Sequence, residues 1–113
     1  RVPLDEGALT GAVTAETRFE PREFRAWYFR GDRKERVARH VDALRQDLAG
    51  VPGTLAEIAL RFCISHPAVS TVIPGMRKVR NVESSLGVSK VGPLDATTLE
   101  VLRRHAWNKS FYC

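Results

Sequence analysis

The chain has 113 residues, of which 43% are hydrophobic and 27% charged, a composition that fits one small globular unit and excludes a disordered chain. No apolar run approaches the roughly 20 residues of a membrane helix, and Arg1-Val2-Pro3-Leu4-Asp5 holds no signal-peptide core. Eighteen Lys and Arg against thirteen Asp and Glu leave +5, a charge that suits a phosphate-bearing partner as well as plain solubility.

In chain order, Val2-Pro3-Leu4-Asp5 reads as a strand end, because Pro3 lacks an N–H and is confined to strand termini or edges. Gly7 and Gly11 punctuate the loop that follows. Residues 12–31 keep no period and carry Phe19, Phe24, Trp27, Tyr28 and Phe29 among charges. They read as a long aromatic loop with one short helix at Arg22–Tyr28. Asp32 then offers an N-cap with Glu35 three residues on, and Val37, Val41, Leu44 and Leu48 recur at helical spacing until Gly50 and Pro52.

Thr54-Leu55-Ala56-Glu57 is a full capping box. It predicts a second helix that buries Leu55, Ile58, Ala59, Phe62 and Cys63 and stops at Pro67. His66, next to that stop, reads as a helix-end residue meeting the last carbonyls. Val69-Ser70-Thr71-Val72-Ile73 is a β-branched run closed by Pro74-Gly75, and predicts a strand. Val79, Val82 and Leu86 return to helical spacing after Met76. A last helix starts at Asp95, with Leu94 and Leu99 placed as a hydrophobic staple, and is predicted to end near Trp107.

Strand end, loop, two helices, strand and two helices form an α/β order with two short parallel strands. Two strands make no sheet able to bury these helices, so the chain reads as the last part of a larger unit. The stripes at 37–48 and 55–63 then need a partner, a second copy, or a complementing piece. Cys63 and Cys113 are too few for a disulfide scaffold, and a reducing, cytoplasmic setting fits best. No metal site is expected.

The chemistry concentrates between Ser70 and Glu83. A strand ending at Gly75 runs into a helix, and a helix start presents free N–H groups and partial positive charge to a phosphate. Gly75 lets a phosphate approach the backbone, Arg77 offers a planar fork, and Lys78 and Arg80 deepen the field. An ordinary strand–turn–helix with exposed basic residues is the competing reading. A nucleic-acid surface is a third, resting on Arg22, Arg25, Arg30, Arg33, Lys34, Arg36 and Arg39. Interruption by Glu20, Glu23, Asp32 and Glu35, and the lack of any nucleic-acid signature, argue against it.

The segment Ile73-Pro74-Gly75-Met76-Arg77 resembles the last βα unit of the aldo-keto reductases. The opening Val2-Pro3-Leu4-Asp5-Glu6-Gly7 resembles that family's seventh strand and cofactor loop. Leu55–Phe62 resembles the helix before its final strand, and His105-Ala106-Trp107-Asn108-Lys109 its C-terminal helix end. The resemblance runs nearly the full chain and in order. It implies a C-terminal fragment of a (β/α)8 barrel, helix-rich, organised as a single partial domain over 1–113. Residues 1–11 would be the strand end and cofactor loop, 12–31 the long loop, and 32–113 the helices, last strand and C-terminal helix.

The resemblance further implies NADP(H) as cofactor and carbonyl reduction as the parent activity. Carried over by position, Pro3, Leu4, Asp5 and Gly7 would line the pyrophosphate and ribose. Gly75, Met76 and Arg77 would hold the 2′-phosphate. Asn81 stands where the family often has Gln, and Ser84 and Ser85 where it often has Glu and Asn. A Ser hydroxyl reaches less far and offers no amide pair. The family's catalytic Asp, Tyr, Lys and His belong to earlier barrel segments, so no catalytic residue is expected among these 113. An oligomeric, non-catalytic interaction module derived from such a barrel is the alternative. Trp27 and Tyr28 either wall a substrate pocket or pack the loop down.

Overall fold

The computed structural model describes residues 1–113. Five α-helices follow one 3-10 turn at Asp5–Thr10: α1 Phe24–Tyr28, α2 Arg33–Asp47, α3 Leu55–Ile64, α4 Val79–Val91 and α5 Ala96–Arg104. No helix is long and apolar enough to cross a membrane.

The helix starts follow the local chemistry. The Thr54 hydroxyl accepts from the Glu57 amide at 3.2 Å, and the Glu57 carboxylate accepts from the Thr54 amide at 2.8 Å. Both free donors at the start of α3 are thereby satisfied. Asp95 accepts from the Thr98 amide at 2.7 Å to open α5, and Leu94 and Leu99 pack together as the staple requires. Asp32 precedes α2 without any side-chain cap bond. There the helix is held by its buried face, Val37 and Val41, rather than by its cap.

Two small apolar clusters hold the helices. Ala8, Val13, Tyr28, Phe29, Val37, Val41 and Phe111 form the first. Leu48, Ile58 and Leu94 form the second, with Leu44, Leu55, Leu99 and Leu102 against them. Side chains tie the elements where backbone ladders do not. The Arg61 guanidinium donates to the carbonyls of Gly92 (2.8 Å) and Pro93 (3.0 Å), fastening α3 to the α4–α5 turn. The Ser65 hydroxyl accepts from the Leu94 amide at 2.9 Å.

Neither predicted strand forms. Val2 adopts φ +50°, and the opening turns at once into the 3-10 segment. Val69–Ile73 runs on without regular structure, and residues 70–77 make no hydrogen bond through backbone or side chain. A strand is defined by its neighbour, and the chain supplies none. Three further readings need correction. In α3, Leu60 is buried in place of Phe62, which is half-exposed. The α5 helix ends at Arg104, three residues short of Trp107. His66 accepts from the Ala68 amide at 3.2 Å instead of meeting the last helix carbonyls, one of which, that of Arg61, is taken by the Ser65 hydroxyl at 2.7 Å.

The predicted stripe on α4 exists, but of its three residues only Val82 is half-buried and the other two face solvent. Val79 is 75% exposed and Leu86 62%, while Ile73 just before the turn is 80% exposed. In α4 only Val88 is buried.

Candidate functional site

The candidate residues fall at two separate places. Pro3, Leu4, Asp5 and Gly7 lie in the opening turn, all partly buried. Asp5 and Glu6 adopt φ +50° and +56°, in the left-handed region that L side chains rarely occupy. Gly7, at φ +99°, occupies it at no cost from a Cβ.

Both Asp5 carboxylate oxygens are engaged. The Tyr28 hydroxyl donates to one at 2.5 Å, and the Lys109 ammonium to the other at 2.7 Å. Burial, then the Asp5 bond, raise the Tyr28 phenol far above its ordinary pKa, so it remains a donor. Tyr112 donates to the Glu6 carboxylate at 3.0 Å, and burial followed by that bond raises its pKa as well. The Asp5 side chain is therefore committed inside the protein. What the opening turn offers a ligand is its backbone and the surfaces of Pro3, Leu4 and Gly7.

The second place is the turn into α4. Gly75, Met76, Arg77 and Asn81 are exposed and Ser85 is half-buried. Lys78 precedes α4 with no side-chain cap bond, and the first turn holds no acidic residue. The side chains of Arg77, Lys78 and Arg80 enter no hydrogen bond or ion pair, while the Lys78 carbonyl accepts from the Asn81 and Val82 amides. The start of α4 thus keeps free donors, the positive end of its dipole, and three cations outside any ion pair, with Arg77 near enough to Glu23 to help lower its pKa; together these suit a phosphate. The α3 and α5 starts differ, each closed by its own cap. Ser84 is turned away, donating to the Glu57 carboxylate at 2.9 Å. With the Thr54 bond, this holds the Glu57 carboxyl below its ordinary pKa.

No hydrogen bond joins the opening turn to the α4 start. A cleft of about 750 Å³ lies between the end of α3, residues 69–73 and α5, and it contains none of the candidate residues. Two neighbouring clefts, of about 450 and 340 Å³, include Pro3 and Asp5 respectively, but nothing from 75–85. No group of three or more His, Cys, Asp or Glu could hold a metal ion. Cys63 and Cys113 are free thiols, and burial pushes the Cys63 thiol up.

In the aromatic segment, Tyr28 and Phe29 are core residues. Trp27 stays partly exposed under the Arg30 guanidinium, 4.3 Å from its ring centroid. The packing reading therefore holds for Tyr28. The sequence reading passed over Lys109 and Tyr112 as partners of the opening turn. The signal was present in 105–111, where His105, Trp107, Lys109 and Phe111 alternate with exposed residues. Two of those inward residues are polar, so no apolar alternation marked them.

The aldo/keto reductase family model matches residues 1–106. A probable voltage-gated potassium channel subunit beta of Arabidopsis thaliana is 30% identical over 97 residues, which is 81% of this chain. The chain spans 29% of that relative's length. No solved structure matches.

Proposed function

The chain belongs to the aldo/keto reductase family, and on that premise we propose that it is the NADP(H)-binding C-terminal part of a carbonyl-reducing (β/α)8 oxidoreductase, working in the cytoplasm. When bound, the cofactor supplies the hydride. The residues of this chain hold its phosphates and adenosine. Arg77, with the free N–H groups at the start of α4, takes the 2′-phosphate, and Gly75 and Met76 let it approach. Asn81 and Ser85 lie one and two turns further along α4, toward the adenine. Pro3, Leu4, Asp5 and Gly7 line the pyrophosphate and ribose through the shape of their turn. None of the 113 residues is assigned a part in hydride transfer, which falls to the rest of the barrel.

The observation that supports this reading is the uncapped, cationic start of α4, in a chain matched by the family model almost throughout. Substituting Arg77→Ala tests it. Calorimetric titration should show NADP+ weakened by about 1–3 kcal/mol, the worth of one charge-assisted contact, with NAD+ nearly unchanged. An equal loss for both cofactors contradicts the assignment.

A second reading is favoured by the unbonded run at 70–77 and the exposed Ile73, Val79 and Leu86. In it the chain is a non-catalytic module that works by pairing, with a second copy or with a complementing barrel fragment. The Arabidopsis relative is named as a channel subunit, a role of association. Light scattering after size exclusion, with and without NADP+, separates the two. An assembly that tightens with NADP+ supports the cofactor reading, and one indifferent to it supports the module.

A further inference from the structure

We propose that residues 105–113 are a strap that fixes the opening turn, with Lys109 a positioning residue acting on the cofactor loop through Asp5. The proposal deepens the cofactor reading of Pro3–Gly7, and its binding arm rests on that reading.

The strap is rooted mainly on α2, away from the turn it holds. Trp107 stacks on His40 with centroids 3.8 Å apart and planes 12° from parallel. Phe111 is buried in the first cluster. The Arg33 guanidinium donates to the Phe111 carbonyl at 2.8 Å and lies over its ring. His105 meets the Asp47 carboxylate at 2.8 Å. His40, Arg33 and Asp47 all belong to α2, and the cluster around Phe111 adds Val37 and Val41 of α2 beside Ala8 of the turn, so α2 sets most of the strap's path.

From that root two side chains reach the opening turn, and they reach the residues that need holding. Asp5 and Glu6 both sit at positive φ without being glycine. Such backbone persists only where its surroundings over-determine it. Lys109 takes Asp5 and Tyr112 takes Glu6. The Lys109–Asp5 pair is largely shielded from solvent, with side-chain exposures of 13% and 26%. Removing the ammonium leaves a carboxylate with one oxygen unpaired in a poorly solvated site. The turn then relaxes toward ordinary backbone, and the surface of Pro3, Leu4 and Gly7 changes with it.

The test compares Lys109→Met, Lys109→Arg and Tyr112→Phe with the unaltered chain. Amide hydrogen exchange is read at Gly7, Leu9 and Gly11, whose N–H groups bond within the turn, and in α3 as a reference. NADP+ affinity is read in parallel. Lys109→Met should speed exchange in the turn by about tenfold or more and leave α3 unchanged. It should weaken NADP+ by about tenfold, the loss of one charge-assisted bond, and Lys109→Arg should restore both. Tyr112→Phe should act in the same direction and less. Unchanged exchange in the turn overturns the proposal, and so does a uniform rise that includes α3. Faster exchange with NADP+ affinity intact overturns the positioning role. If the unaltered chain binds no NADP+, local exchange changes still establish the strap, while the cofactor reading fails.

Discussion

Residues 5–47 together with 105–113 bury Tyr28, Phe29, Val37 and Phe111. Residues 69–91 are richer in Val, Ile and Leu, yet they leave Ile73, Val79, Leu86 and Val91 in solvent and the 70–77 backbone unbonded. Both regions have patterned apolar residues. They differ in the complementary surface: this chain supplies it for the first and not for the second. A stripe reports that a surface is meant to be covered. Only the rest of the fold says what covers it.

The sharpest way to break the comparison is to empty one site in each region. Phe111→Ala removes a buried ring and should cost about 3–5 kcal/mol in urea unfolding. Leu86→Ser removes a large side chain from α4 and should change stability by no more than about 0.5 kcal/mol. Similar losses would mean that α4 is covered within this chain after all.

A smaller effect sharpens the role of local chemistry. Thr54→Ala deletes half of the capping box and should cost about 1 kcal/mol, measured by the same unfolding. Glu57 adds a pH signature. Its folded pKa is depressed, so its contribution is present above the ordinary carboxylate range and lost as pH falls through the folded value.

The smallest effect probes the strap. Burial under Trp107, with Arg36 and Arg39 nearby, holds His40 below the ordinary His pKa. The fold therefore prefers the neutral ring. Stability is full above the ordinary value of about 6.5 and declines as pH falls through the depressed one. Proton NMR should show His40 titrating low in the unaltered chain and returning toward about 6.5 in Trp107→Leu. An unchanged value there would separate His40 from the strap.

Much of the helical framework was legible because its determinants are local. The capping box at Thr54, the Asp95 cap, the Leu94–Leu99 staple and the Val37–Val41 stripe all act within a few residues. The strap was not legible, since the partners of Lys109 and Tyr112 sit at the opposite end of the sequence. Val69–Ile73 had every strand propensity and formed no strand, because propensity describes a residue and pairing needs a neighbour. At the candidate site, the Arg77 turn and the α4 start were readable from spacing. The commitment of Asp5 and Ser84 to internal partners was not, because each bond crosses between elements.

The strap also changes what chain continuity means for this molecule. Exposed backbone without hydrogen bonds is what a protease cleft accepts, and residues 70–77 present it with Arg77 and Lys78 at its end. A cut there would free no fragment. The C-terminal piece would stay held to the N-terminal one by Arg61 on the α4–α5 turn, by Phe111 in the first cluster and by Lys109 on Asp5. In this respect the molecule is two interlocked pieces, held together by more than the backbone that joins them.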